Sequence, residues 1–290
     1  MKLHPLSVLL LALCAMTMAA DAHAEKTNFT SGILAGINGV FDDPGSLAGG
    51  PPTVCHINCH HPDTIREALK KPATGHIAYL TKVRRIVEEQ TGLPYAVLHY
   101  SQLGGGGLDR TRIKAVLITM MDKGISSDHT ERLLATIRAT NLPTFGFCGG
   151  HQLIAQAFGG KVAKMRPLAP GEKDPNPTRY TGWFKEWAFL PVKIVRRDPL
   201  FDGFGETVVV REYHAYEIKR LPEEFDLLAS NDACRVQAIK HKSRLLYGTQ
   251  FHPEHFDAGH PDGERILRNF FRIAGILKPA ADTTNKTNTP

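Results

Sequence analysis

Between Thr53 and Gly160 short apolar runs alternate with stretches of helical spacing, and this alternation constrains the fold more than any other feature of the chain. Residues 114–119 (KAVLIT) form a β-branched run suited to a strand buried on both faces. Thr53–Cys59, 95–100 and 144–148 are shorter runs of the same kind. Residues 77–90 and 128–139 place apolar and charged side chains at helical spacing, with Ser127 as the expected N-cap of the second. Residues 152–158 predict a helix that stops at Gly159-Gly160, where glycine can adopt the left-handed cap. Strands separated by helices fit a parallel sheet with helices on both faces.

After Gly160 the pattern changes. Residues 161–166, 187–195, 207–211, 226–229, 236–240 and 245–251 read as strands with few helices between them, and 262–276 as a closing amphipathic helix. The expectation is one α/β domain over residues 53–277 with a β-rich second half. The proline-rich stretch 170–179 reads as a loop, with the makings of a flap.

The ends read differently. Lys2, an apolar run from Leu6 to Met18 and the small-x-small triplet Ala22-His23-Ala24 predict a secretory signal peptide over residues 1–24, and hence an exported, periplasmic or secreted protein. Leu11-Ala12-Leu13-Cys14 hints at a lipoprotein signal, against which stands bulky Leu13. The apolar run is shorter than the roughly 20 residues of a membrane span, and no other segment could cross a bilayer. Residues 25–52, rich in Gly, Pro and Asp, read as an extension or linker over the surface, and 278–290 as a disordered polar tail. A net charge of +6 over 290 residues, with no basic run interleaved with aromatics, gives no reason to expect nucleic acid as a partner. Beyond the leader stand Cys55, Cys59, Cys148 and Cys234, too few for a disulfide scaffold in so long a chain.

Phe145-Gly146-Phe147-Cys148-Gly149-Gly150-His151-Gln152 carries the most chemical information. An apolar strand runs into a cysteine, then two glycines, then a helix. A nucleophile on such a turn projects above the sheet, and the helix N-terminus favours the thiolate. A buried structural cysteine before a glycine turn would read the same way. The second half decides between them. Gln250-Phe251-His252-Pro253-Glu254 puts an imidazole and a carboxylate two residues apart at a strand end, on the same side of an extended chain. The carboxylate can hold one ring nitrogen while the other faces a thiol.

Taken together, the two segments resemble the class I glutamine amidotransferases, and within them most nearly the glutaminase domain of GMP synthase and its stand-alone relatives. Pro143-Thr144-Phe145-Gly146, Phe158-Gly159-Gly160, Leu200-Phe201-Asp202-Gly203, Tyr213-His214 and Arg268-Asn269-Phe270-Phe271 extend the resemblance over residues 53–276. It implies a flavodoxin-like core, no cofactor, and cleavage of a γ-glutamyl amide through a thioester. It also implies Cys148 as nucleophile, His252 as base, Glu254 as its partner, Gly149 as an oxyanion N–H donor, and Gln152 beside the substrate. The family's Gly-Gly-Pro loop after the third strand is replaced here by Ile118-Thr119-Met120-Met121-Asp122-Lys123-Gly124, which should reshape the pocket. With a leader and no synthetase domain following, the expected activity is that of a γ-glutamyl hydrolase or peptidase on a small-molecule substrate. A member of the fold that only binds a ligand or metal is the alternative.

Cys55-His56-Ile57-Asn58-Cys59-His60-His61 admits three readings. As a strand it would span about 13 Å between the cysteines, too far for a disulfide, and would put Cys55, Ile57 and Cys59 on one face. A disulfide in a non-strand conformation and a metal or haem site built on Cys55, Cys59, His60 and His61 remain open at this point. His214 reads as structural, and His255 and His260 as loop residues near the site. Trp183, Phe184 and Trp187 read as core, with a pocket wall as the second option.

Overall fold

The computed structural model describes residues 33–279 apart from 73–74, 105–107, 109–110 and 123. The leader expected over residues 1–24 and nearly all of the tail expected over 278–290 lie outside the described residues. The strands are β1 (Thr53–Cys59), β2 (Tyr95–His99), β3 (Ile113–Met121), β4 (Thr144–Phe147), β5 (Lys161–Lys164), β6 (Phe189–Ile194), β7 (Thr207–Arg211), β8 (Tyr216–Arg220), β9 (Phe225–Ser230), β10 (Ala238–His241) and β11 (Leu246–Thr249). The helices are α1 (Pro44–Gly49), α2 (Pro62–Leu69), α3 (Gly75–Thr91), α4 (Ser127–Ala139), α5 (Gly149–Ala157) and α6 (Asp262–Ile273).

A nine-stranded sheet runs β2-β1-β3-β4-β11-β10-β9-β6-β7, and β5 pairs with β8 in a separate antiparallel ribbon. From β2 to β11 the neighbours are parallel, and from β11 to β7 antiparallel. The change of character after Gly160 is therefore a change of strand direction within one sheet. β11 is the hinge between the two regimes, because it joins β4 on one side and β10 on the other.

Helices cover both faces. Leu80, Val83, Ile86 and Val87 of α3 and Ile266, Leu267, Phe270 and Phe271 of α6 pack on one side with Val54, Leu117, Phe145 and Phe147. Leu133 and Ile137 of α4 and Leu153 and Ile154 of α5 pack on the other with Cys55, Ile57, Cys59, Val116 and Ile118. Each such side chain, fully buried, contributes about 1.5–3 kcal/mol. The α/β expectation and the alternation along β1 are both observed.

Several boundaries move for identifiable reasons. The N-cap of α4 is Ser126, whose side chain accepts from the His129 N–H, and Ser127 is the first helical residue. Helix α6 ends at Ile273 rather than 276, because Gly275 adopts φ +71° and Ile276 N–H turns back to the Phe271 carbonyl. Helix α2 was not among the expected elements; Pro62 at its first turn and His61 as its cap start it.

The segment before β1, read as a linker over the surface, is instead part of the domain from residue 33 onward. Leu34, Ile37 and Phe41 are buried in the same core as α3 and α6. Asp42 docks on the outer strand: Val97 N–H donates to its carboxylate at 2.6 Å, and its own N–H donates to the Val97 carbonyl at 2.8 Å. The segment thereby covers part of the edge of β2, which would otherwise present unpaired backbone groups. Asp43 caps α1 and Pro44 opens it, while the few apolar residues Leu34, Ile37 and Phe41 fill the core. Among the described residues no helix is long and apolar enough to cross a membrane.

Candidate active site

Cys148 stands between β4 and α5 with φ 50° and ψ −102°, the left-handed side where a Cβ is disfavoured. Its N–H is held by the Thr249 carbonyl of β11 at 2.8 Å, and its carbonyl accepts the first bond of α5 from Gln152 N–H at 3.1 Å. The positive φ thus falls on the cysteine itself. The flanking glycines serve close approach instead. A Cβ on Gly150 would lie 1.9 Å from the Ile118 carbonyl oxygen, one on Gly146 2.5 Å from the Gly150 carbonyl carbon, and one on Gly248 2.7 Å from His151 Nδ1. The first turn of α5 is pressed onto β3, β4 and β11, and this brings Cys148 to the sheet's C-terminal edge at the head of that helix.

β11 continues into the second segment. His252 Nδ1 meets Glu254 Oε1 at 2.7 Å, but the chain is not extended as the i, i+2 reading supposed: β11 ends at Thr249, and a turn closed by His255 N–H to the His252 carbonyl at 3.1 Å brings the carboxylate to the ring. His252 N–H is tied to the Arg211 carbonyl at 2.8 Å. Burial lowers the proton affinity of His252, but the Glu254 carboxylate and the adjoining Cys148 sulfur outweigh it and push the imidazole well above its usual pKa. Burial raises Glu254, yet the charge of His252 prevails and holds its carboxyl down to about 2. The neighbouring His255 is pushed the other way, by burial, down to about 4. His252 Nε2 is buried and has no hydrogen-bond partner among the described residues.

Two further side chains bear on the pair and the thiol. Gln250 Nε2 points at Cys148 Sγ from 3.6 Å, while its Oε1 accepts from Gln152 Nε2 at 3.0 Å. Tyr79 of α3 donates to Glu254 Oε1 at 3.0 Å. Gln250 lay inside the recognised motif, but its direction depends on strand register. Tyr79 carried no sequence signal, because 175 positions separate it from its partner.

Cys148, Gly149 and Gln152 line a cavity of about 470 Å³, together with Asp122, Arg179, Tyr180, Trp187 and Tyr213. Arg179, at the end of the loop read over 170–179, and the next residue, Tyr180, held at φ 51°, both line it. Trp187 is a wall residue, contrary to the core reading, and stacks edge-on against Tyr213 at 4.9 Å. Trp183 and Phe184 carry Lys164 and Arg166 over their rings instead. His255 lies 5.3 Å from the His252 ring, and His260 stacks on Phe189 at 3.9 Å.

Where the family's glycine loop would stand, β3 runs on to Met121 opposite Cys59. The Asp122 N–H is spent on the Cys59 carbonyl at 3.1 Å, and its carboxylate is fixed by His60 Nδ1 and His61 N–H, each at 2.9 Å.

This also settles the histidine-rich segment as a strand. Cys55 and Cys59 are free and face the core, where burial pushes Cys55 up to about 12 and raises Cys59 further. His56 bonds Tyr95 and, at 2.7 Å, Thr119, while His61 caps α2. Among the described residues the metal-ligating atoms of this segment do not converge.

A family model, glutamine amidotransferase class-I, matches residues 121–274, more than half of the chain. The first-lettered subunit of the glutamine-hydrolyzing GMP synthase from Pyrococcus furiosus is 38% identical over 152 residues, covering 52% of this chain and 71% of the relative. The chain belongs to the class I glutamine amidotransferases. Two solved structures share the fold. One is a GMP synthase subunit-type protein from Thermoplasma acidophilum (TM-score 0.56, 24% identity, 78% of this chain and 95% of that one). The other is a glutamine amidotransferase from Thermotoga maritima (TM-score 0.54, 13% identity, 78% and 98%). For an amidotransferase of this class, the family match starts at Met121, ahead of the turn at Cys148, and takes in both motifs that carried the resemblance.

Proposed function

We propose that this amidotransferase hydrolyses a γ-glutamyl amide, glutamine or a γ-glutamyl peptide, through a thioester on Cys148. The observation that carries the reading is the strained turn that presents Cys148 to an imidazole already paired with a buried carboxylate. In the proposed reaction Cys148 Sγ, as thiolate, attacks the γ-carbonyl. The leaving amine departs with the proton from His252 Nε2. Water then attacks the thioester carbonyl, giving a proton back to His252, and the carbon–sulfur bond breaks to release the γ-carboxylate. Glu254 keeps the imidazole oriented and favours its charged form.

The N–H groups of the first turn of α5 have no intrahelical partner, and Gly149 N–H is the donor we assign to the oxyanion. Asp122 cannot offer its own N–H, since Cys59 uses it. Asp122 and Arg179 bring opposite charges to one cavity, which suits the α-amino and α-carboxylate groups of a glutamyl substrate. The leader read from residues 1–24 makes an exported γ-glutamyl hydrolase the specific form of this proposal.

The reduced protein is expected to release ammonia from glutamine or amine from at least one member of a γ-glutamyl peptide panel. A glutamine-mimicking electrophile should label Cys148 and lose that labelling in His252→Ala. Absence of product across the whole panel, with Cys148 shown to be reduced, sinks the reading. Tyr79→Phe, which removes one donor from Glu254, should lower kcat by about tenfold with little change in KM. Steady-state kinetics on glutamine checks this, and an unchanged kcat would show that Tyr79 is only packing.

A further inference from the structure

Behind the cavity wall, in the antiparallel half of the sheet, lies a second cluster of reactive side chains for which the hydrolysis described above has no use. Glu186 precedes β6, Glu212 and His214 follow β7, and Cys234 lies between β9 and β10. All four are buried, with Glu212 and Cys234 at 0% exposure. One ligand atom each from Glu186, His214 and Cys234 lies within 4.8 Å of the others. His214 Nε2 is 3.0 Å from Glu186 Oε2 and 3.2 Å from Glu212 Oε2. We propose that Glu186, Glu212, His214 and Cys234 form a binding site for one zinc-class divalent cation.

Donor counting carries the argument. His214 Nδ1 lies 2.9 Å from the Tyr216 carbonyl, which can only accept, so Nδ1 bears the hydrogen. Nε2 is left to face two carboxylates. If it is protonated it has one N–H to give, and Glu186 takes it with good geometry. Glu212 is left with the 3.2 Å ion pair of its Oε2 to the same ring nitrogen, and among the described residues neither of its buried oxygens has a hydrogen-bond partner. A fully buried carboxylate with two unserved oxygens calls for a cation. A divalent ion can satisfy both carboxylates, the imidazole and the thiol together, and a lone proton cannot.

The spacing suits that ion. Zinc binds oxygen and nitrogen near 2.0–2.2 Å and sulfur near 2.3 Å, so tetrahedral ligand atoms stand about 3.3–3.6 Å apart; the two carboxylates stand 3.0 and 3.2 Å from His214 Nε2, and Glu212 joins the converged Glu186, His214 and Cys234 set through that ring nitrogen. The mixed oxygen, nitrogen and sulfur set favours zinc over calcium or magnesium, which prefer oxygen alone. The outer contacts are those that hold metal ligands in place. Asn231 Nδ2 donates to Glu186 Oε1 at 2.6 Å, Gln237 Nε2 to Glu186 Oε2 at 2.9 Å, and the Tyr216 carbonyl fixes the tautomer of His214. Binding releases the Cys234 thiol proton, and the Nε2 proton where one is present, to solvent.

The ion would join three stretches of chain that meet at the pocket. His214 also lines the cavity, and Arg211, next to Glu212, holds the backbone of His252.

The test uses the mature chain produced without an affinity tag in zinc-supplemented medium. Elemental analysis after dialysis should find one equivalent of zinc per chain. Cobalt substitution should give a near-ultraviolet thiolate-to-metal band that disappears in C234S. Competition with a chromophoric chelator should show zinc affinity reduced at least about tenfold in C234S and in the isosteric E212Q, and unchanged in C148S. If C234S does not fold, E212Q reads the same site. Substoichiometric zinc after dialysis against excess metal overturns the proposal, as does zinc retained at full affinity in E212Q or lost in C148S. None of these readouts depends on γ-glutamyl hydrolysis.

Discussion

Cys148→Ala is expected to reduce ammonia release from the preferred γ-glutamyl substrate by about 10⁴-fold or more, because no other side chain at the turn can form the thioester. His252→Ala should fall nearly as far, and the double variant no further, since the two act as one unit. Glu254→Gln is the more informative change. The amide keeps the shape but loses the charge that, with Cys148, raises the His252 pKa against the effect of burial. The sign follows directly. With the charge removed, burial lowers the proton affinity of His252, and the protonated partner of the thiolate is lost at a lower pH. The alkaline limb of kcat/KM should therefore move to lower pH in Glu254→Gln, with kcat reduced by about 10²–10⁴-fold. Rates measured across the pH range with the three single variants check this. Full activity in Cys148→Ala would remove the covalent mechanism altogether, and an alkaline limb unmoved in Glu254→Gln would separate Glu254 from the protonation of His252.

The parts of this site that were legible in the sequence are those fixed by local geometry. His252 and Glu254 are two residues apart and so meet without tertiary knowledge, although a turn after β11 rather than an extended strand brings them together. The β-branched run of β3 and the apolar-then-glycine run of β4 announced buried parallel strands for the same reason. What depended on distant register was not legible. Tyr79 reaches Glu254 only because α3 lies along the same face of the sheet. Asp122 belongs to the cavity because β3 runs past the point where a glycine loop was expected, and His60 then holds its carboxylate. The N-terminal segment was misread because composition reports its turns, whereas Leu34, Ile37 and Phe41 are too sparse to register as periodic and yet reach the core. Glu186, Glu212, His214 and Cys234 come from three separate stretches, so no spacing rule could have grouped them.

The glycines of the elbow give the sharpest prediction about stability. Gly150→Ala would place a Cβ 1.9 Å from the Ile118 carbonyl oxygen and 2.6 Å from its carbon. Both atoms belong to the backbone of the central strand β3, which pairs with β1 and β4 and cannot yield locally. The only relief is for α5 to lift off the sheet by more than an ångström or so, and Ile154 and Leu153 would leave the core with it. Overpacking of this kind costs about 3 kcal/mol or more, which in a domain of this size corresponds to a fall in Tm of roughly 10 °C. Gly205 is the control: it has open space around its Cβ position and no positive φ, so Gly205→Ala should stay within about 0.5 kcal/mol of the parent. Thermal melts of the two variants separate a steric role for the glycine from a conformational one, because neither position requires the left-handed backbone. A Gly150→Ala protein that melted with the parent would mean that α5 does not approach β3 as described. Cys148 would then be presented by some other contact. If Gly150→Ala folds at all, the lifted helix carries Cys148 away from His252, so its activity should fall further than its stability, whereas Gly205→Ala should leave both intact.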